Sequence, residues 1–512
     1  MGASLGDLPN ARPARLVLDP AFQVGPLSRR LFGSFVEHMG RCVYTGIYEP
    51  DHDTADEHGF RTDVQHLVTE LGPTILRYPG GNFVSNYFWE DGIGPKSERP
   101  TKLDFGWRTL ESNQVGTDDF LSWCARLGVE AMLAVNLGTR GITEAIELLQ
   151  YTNGREDTEL PNRRVRNGYP EPHNVRVWCL GNEMDGPWQM GFKTPQEYAR
   201  LAEETARAMR RYDGDLELVA CGSSNSAMPT FGTWERVVLD RCFEHVSHIS
   251  AHAYYEPIDS DIDSFLACAE NMHRFISAVV ATADHVAATK QSDKLIMVSF
   301  DEWNVWYQAD FSGETNLDIR EPGPLIEDVY DVTDAVVVGS LLITLMQHAD
   351  RVSMACQAQL VNVIAPIMTR PGGPAWRQTI FHPFALTSRY ARGQVLRSAV
   401  TSPPVSTAAY GEVDALLCTA TYDRDSGDLV IFAVNRSRTE PIDFSASLAA
   451  FSRARLVEHL LLHDDDPSAC NTEAEPDRVV PRIGTAEVTD TTLTAVLPPV
   501  SWHCFRLAEE AD

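Results

Sequence analysis

Two short carboxylate-bearing runs set the chemistry open to this chain: Gly181-Asn182-Glu183 and Asp301-Glu302-Trp303-Asn304. Each closes an apolar run of the kind that forms a buried strand, so both glutamates are expected at strand ends. Paired carboxyl groups across a bound substrate suit cleavage of a glycosidic bond. One protonates the leaving oxygen and the other attacks or activates water. A separation of roughly 5–5.5 Å implies retention of configuration and roughly 6.5–9.5 Å inversion; the sequence leaves that choice open. The acid must hold its proton at working pH, which requires a carboxyl raised by burial or by a neighbouring negative charge. A lone glutamate at a strand end is more often an ion-pair partner. Two of them, in Asn-Glu and Asp-Glu-Trp-Asn settings on opposed strands, favour catalysis.

Eight apolar runs position these groups: Leu31–Val36, Thr74–Arg77, Ala131–Val135, Val175–Leu180, Leu216–Cys221, Val246–Ala251, Leu295–Phe300 and Val352–Cys356. Unbroken apolar runs fit strands buried on both faces. Helical patterns fill the gaps, among them Asp118–Leu127 after Thr117 as cap and Pro195–Tyr212 after Thr194. Eight β-then-α units predict a (β/α)8 TIM barrel, whose active site forms at the C-terminal strand ends. There the chain offers Glu37, Arg77, Asn82, Asn136, Asn182 and Glu183, then Ser223, His252, Tyr254, Glu302 and Gln359. This ring of hydrogen-bonding groups suits sugar hydroxyls. His248 and His252 share a strand face without a third ligand, so no metal is expected. Trp89, Trp188, Trp303 and Trp306 fit a core or a sugar-stacking role equally well.

From about Gly393 the texture changes to alternating strand patterns and turns, predicting an all-β sandwich. Leu416–Tyr422 and Leu429–Asn435 read as a hairpin, and Thr492–Leu497 with Ser501–Leu507 as a closing pair around Pro498-Pro499. Ala14–Val24 reads as a strand that crosses over to the C-terminal sheet. The expected division is 1–29 as an N-terminal segment joining the sandwich, 30–392 as the barrel and 393–512 as the sandwich. Ala335–Met346 is too short and interrupted to span a membrane and reads as a buried helix.

A net charge of −29, from 72 acidic and 43 basic residues, disfavours nucleic acid and membrane surfaces as partners. A neutral substrate is compatible with it. Met1–Pro9 carries no secretory pattern. The ten scattered cysteines, without a C-x-x-C pair, suit a reducing compartment, so a cytoplasmic location is expected. Gly222-Ser223-Ser224-Asn225-Ser226 lacks the G-x-S-x-G elbow of serine hydrolases.

Long runs now carry a resemblance. Leu31–His38 (LFGSFVEH), Gly46–Pro50, Arg77–Val84 (RYPGGNFV) and Trp89–Pro95 resemble glycoside hydrolase family 51, the intracellular α-L-arabinofuranosidases. So do Trp178–Gly191 (WCLGNEMDGPWQMG), Phe300–Tyr307 (FDEWNVWY) and Ala358–Thr369. The likeness runs from about Ala14 to Arg397 and weakens beyond. It implies a barrel joined to a β-sandwich, exo hydrolysis of terminal arabinofuranosyl residues with retention, no cofactor and a homohexamer. It also implies Glu183 as acid/base and Glu302 as nucleophile. Glu37, Arg77, Asn82, Asn182, Tyr254 and Gln359 match positions that hold the furanose or support the nucleophile, with Asn182 on the 2-hydroxyl. His252 joins them as a substrate-binding candidate. Phe192 stands where the resemblance leads one to expect His, and Asn86-Tyr87-Phe88 is also variant, which bears on the leaving group rather than the chemistry. The residues also admit two rivals: an endo-β-glucanase or β-xylosidase on the same barrel, and a non-catalytic sugar-binding protein. Linkage preference among 1,2, 1,3 and 1,5 is open, and 310–329 is a candidate lid or subunit contact.

Overall fold

The structure, a computed structural model, describes residues 11–451 and 454–509. The segment Met1–Pro9 discussed above lies outside the described residues. All eight expected runs form strands: β1 Gly33–Phe35, β2 Ile75–Tyr78, β3 Glu130–Ala134, β4 Val177–Leu180, β5 Glu217–Ala220, β6 His248–Tyr255, β7 Met297–Val305 and β8 Val352–Gln357. They close in sequence order into a parallel barrel, β8 pairing back onto β1. Helices surround it, as strands buried on both faces demand. At the N-terminal mouth Arg30 bridges Glu130 and Glu217, tying the starts of β3 and β5 together.

Helix boundaries follow local chemistry. Pro195–Tyr212 is capped by Thr194, whose hydroxyl accepts from Glu197 N while Glu197 reaches back to Thr194 N. The helix over Thr117–Leu127 begins one residue earlier than expected. Gly116 is its cap, with Asp119 accepting from the Gly116 amide at 3.0 Å. Thr117 is therefore helical rather than capping.

The C-terminal residues form two packed sheets. The five-stranded sheet runs Ala399–Thr401, Arg12–Val17, Ile442–Ser447, Thr492–Leu497, Ala486–Thr489. The seven-stranded sheet runs Gln23–Pro26, Gln394–Leu396, Leu416–Asp423, Asp428–Asn435, Ser501–Glu509, Ala454–Leu462, Arg482–Ile483. Leu16, Phe444 and Leu493 of the first meet Ile431, Phe505 and Leu507 of the second in a separate core. The expected single strand Ala14–Val24 is two strands, one in each sheet, broken over 18–22. The hairpin 416–435 forms as read. Thr492–Leu497 and Ser501–Glu509 do not pair with each other; the first pairs with Ile442–Ser447, the second with Asp428–Asn435. Two consecutive prolines remove two ladder donors and fix φ, so the chain crosses between sheets there instead of turning back.

The helix Val332–Gln347 joins the two halves and is buried along nearly its whole length. Gly339 lies against Trp502, and a Cβ there would stand 2.2 Å from the indole. Only a glycine admits that approach.

Candidate active site

The strand ends bring the expected residues together. β1 delivers Glu37 two residues past its end, β2 contains Arg77, and the turn after it holds Asn82. β4 leads through Gly181 (φ +90°) to Asn182 and Glu183, whose own φ of +44° is left-handed. A bulky side chain seldom tolerates that backbone, and such strain gathers at functional sites. β6 and β7 run past their expected ends, so His252, Tyr254 and Glu302 sit inside strands, with His252 paired in register to Glu302. Gln359 follows β8.

Glu302 is held from two sides. Arg77 donates to its Oε1 at 2.6 Å and Tyr254 to its Oε2 at 2.8 Å. Arg77 also donates to Asn182 Oδ1 at 2.5 Å. Burial opposes the charge on Arg77, but Asp301 and Glu302 outweigh it and hold the guanidinium above its ordinary range. Breaking one half of a buried pair of this kind costs roughly 3–5 kcal/mol.

Glu183 accepts from Trp188 Nε1 at 2.6 Å on Oε2, and His252 Nδ1 lies 2.9 Å from Oε1. His252 Nε2 lies 2.8 Å from Asp301 Oδ1, and its Nδ1 is 3.7 Å from Glu302. Burial pulls the imidazole down, yet the Glu302 charge and the bonds to Asp301 and Glu183 raise it to about 10. Asp301 is pushed up by burial and more than offset by Arg77 and His252, so it lies below its usual range. His252 is therefore an imidazolium at neutral pH, donating through both nitrogens. Expected among the sugar-holding groups, it instead lies beneath the cavity floor with Arg77, Cys179 and Asp301. Oxygens of Glu183 and Glu302 and a nitrogen of His252 all lie within 4.8 Å of one another.

Because the folded value of about 10 exceeds the ordinary 6.5, the stabilisation His252 gives is complete below 6.5 and lost as pH rises through about 10. We predict that His252→Gln destabilises the fold by roughly 3–5 kcal/mol at pH 6. Urea unfolding should show that gap narrowing steadily towards pH 10; a gap independent of pH would rule out the charged form.

Glu37 is enclosed. Its Oε1 accepts from Trp107 Nε1 at 2.8 Å and Phe83 N at 3.0 Å, and its Oε2 from Gln359 Nε2 at 3.1 Å. Burial pushes its carboxyl up, the Trp107 and Phe83 N–H groups pull it back and the Glu302 charge pushes again, leaving it at about 8. Gly80 packs on its side chain so closely that a Cβ would stand 2.6 Å from Glu37 Cγ. Asn82 Oδ1 accepts from Gln189 Nε2 at 2.6 Å.

Glu37, Asn82, Asn182, Glu183, Tyr254, Glu302 and Gln359 all line one cavity of about 950 Å3. Asn182 Nδ2 and Trp306 Nε1 are buried on it without a partner among the described residues. Trp107, which no local pattern distinguished, lines it too, reaching in from the turn between the short paired strands Lys102–Leu103 and Leu110–Glu111, outside the barrel. Trp188 and Trp306 line the cavity; Trp89 and Trp303 are buried away from it. Phe192 is exposed and does not line it, and Asn86 instead bonds Asp104 at 3.0 Å. Of the stretch 310–329, Glu314 lines the cavity, as does Ile326.

An eight-stranded parallel barrel with two facing glutamates in a pocket of amides, hydroxyls and indoles is the architecture of a glycoside hydrolase. Residues 67–274 match the α-L-arabinofuranosidase 1 domain and residues 301–501 the α-L-arabinofuranosidase C-terminal domain. An intracellular exo-α-(1→5)-L-arabinofuranosidase of Streptomyces lividans is 55% identical over 98% of this chain and 76% of that protein. An exo-α-(1→6)-L-arabinofuranosidase of Bifidobacterium longum is 49% identical over 96% of this chain and 97% of that protein. The solved structure of a family 51 α-L-arabinofuranosidase from Bifidobacterium longum superposes with a TM-score of 0.93 at 47% identity, covering 96% of this chain and 99% of that one. The chain belongs to glycoside hydrolase family 51 and is an α-L-arabinofuranosidase, an enzyme that hydrolyses arabinofuranosyl residues. Among the described residues no helix is long and apolar enough to cross a membrane.

Proposed function

We propose that the enzyme removes terminal non-reducing α-L-arabinofuranosyl residues from arabinose-containing oligo- and polysaccharides with net retention, through a covalent glycosyl-enzyme. The observation that carries this reading is the approach of Glu183 and Glu302 oxygens to within 4.8 Å, which favours the short spacing of retaining enzymes. Glu302, fixed by Arg77 and Tyr254, attacks C1 as the C1–O bond breaks, and a proton from Glu183 passes to the leaving oxygen. Glu183 then takes a proton from water, whose oxygen displaces Glu302 from C1. Each displacement inverts C1, so the two together retain configuration. Asn182, whose Nδ2 has no partner among the described residues, bonds the 2-hydroxyl, and Glu37, Asn82, Tyr254 and Gln359 hold the ring.

The ten free cysteines, nine of them buried, and the relatives named intracellular support a cytoplasmic location. We read 1–29 with 393–512 as the sandwich and 30–392 as the barrel, and the assembly as a homohexamer by family likeness.

The test is hydrolysis of p-nitrophenyl α-L-arabinofuranoside with methanol present. Retention is expected to give methyl α-L-arabinofuranoside. The β-methyl glycoside would overturn double displacement, and no nitrophenol at all would overturn the substrate assignment.

A further inference from the structure

The cavity does not end at the catalytic pair. At about 950 Å3 it stands at the top of the roughly 300–1,000 Å3 range of pockets that enclose a drug-sized ligand, far more than one pentose ring fills. Its remainder is walled by Tyr255, Ser226, Ser264 and Asn271 of the barrel and by Ala409 and Tyr410. The last two form the tip of the hairpin between Pro404–Thr407 and Gly411–Asp414, a part of the C-terminal half that reaches back over the barrel mouth. The tip is tied down: Ala409 N donates to Ser264 Oγ at 3.0 Å. Arg274 lies 5.7 Å from the Tyr410 ring centre, on which it forms a cation–π contact.

We propose that this outer lobe is a leaving-group site for a neutral saccharide of at least two rings, with the 408–410 tip as its far wall. The inference rests on the exo-furanosidase reading above and adds the leaving group to it. Three observations carry it. Tyr255 donates to Asn271 and Asn271 to Ser226 at 3.3 Å each, long bonds that sugar hydroxyls can replace. Trp306, a lining residue beside Tyr254, carries a buried Nε1 donor without a partner among the described residues. No Lys or Arg stands among the described residues lining the cavity, whereas Glu256, Asp259, Asp261 and Glu314 do. Carboxylates on a lining that itself holds no Lys or Arg repel an acidic leaving group such as a uronic-acid-bearing chain and leave a neutral one unopposed. Relatives named for (1→5) cleavage are 46% to 55% identical and one named for (1→6) is 49% identical, inside that range, so overall likeness does not choose the leaving group.

The experiment compares kcat/KM on p-nitrophenyl α-L-arabinofuranoside with that on linear arabino-oligosaccharides of two, three and four units. Three proteins are used: wild type, Tyr410→Ala, and Ala408→Trp, which fills the lobe from an exposed position. Wild type is expected to gain at least fivefold from the dimer to the longer chains. Both variants are expected to lose that gain, so that the ratio of tetramer to aryl-glycoside kcat/KM falls at least tenfold. A wild type that releases nitrophenol but shows no gain with length overturns the lobe as a binding site. A gain that persists in both variants overturns the 408–410 tip as its wall. Hydrolysis of none of these substrates overturns the furanosidase reading itself, and the inference with it.

Discussion

Alanine at position 302 is expected to lower kcat on p-nitrophenyl α-L-arabinofuranoside by on the order of 10⁴-fold or more, the scale of losing a covalent nucleophile. Without the carboxylate no glycosyl-enzyme forms, and nothing else within reach of C1 is a comparable nucleophile. Glu37 is shielded by Trp107, Phe83 and Gln359. The fold should survive, because Arg77 keeps Asn182 as acceptor and Asp301 as counter-charge. A small anion can then enter the space the side chain leaves. Azide is expected to restore turnover on activated aryl glycosides only, attacking C1 in one displacement and so giving the β-azide. The measurements are nitrophenol release, the anomeric configuration of the azide by NMR, and a melting curve. A folded variant that keeps more than a tenth of wild-type activity would remove Glu302 from the role.

The barrel and the meeting of Glu183 with Glu302 are legible in the sequence because both write themselves locally. A strand buried on two faces must be a continuous apolar run, and the polar residue that ends it must point at the mouth. What was not legible depends on contacts between distant segments. Trp107 sits in the turn of a short hairpin and matters because it meets Glu37, 70 positions away. His252 read as a pocket residue because its position along β6 is right; its depth is set by Asp301 on the neighbouring strand. The tip at Ala408–Tyr410 has no pattern of its own and joins the cavity only through the packing of the two halves. The closing pair expected around Pro498-Pro499 does not form, since alternation fixes which face a strand buries, not its partner.

Alanine at position 183 is expected to discriminate between leaving groups. A sugar alkoxide cannot depart unprotonated, so kcat/KM on arabino-oligosaccharides should fall roughly 10²–10⁴-fold, the usual contribution of a positioned general acid. Dinitrophenolate needs no proton, and its release in the first step should be nearly unimpaired. Water still lacks its base in the second step, so the glycosyl-enzyme should accumulate and the dinitrophenyl substrate should show a burst. Azide needs no base; it is expected to speed turnover by attacking that intermediate, the second displacement giving the α-azide, opposite to the product at position 302. The rest of the site should hold, because His252 keeps its bond to Asp301 and Glu302 keeps Arg77 and Tyr254. Rapid-mixing absorbance and NMR of the azide test this directly. Equal losses on both classes of leaving group would refute Glu183 as the acid, and a β-azide would refute the covalent intermediate, since one displacement inverts where two retain.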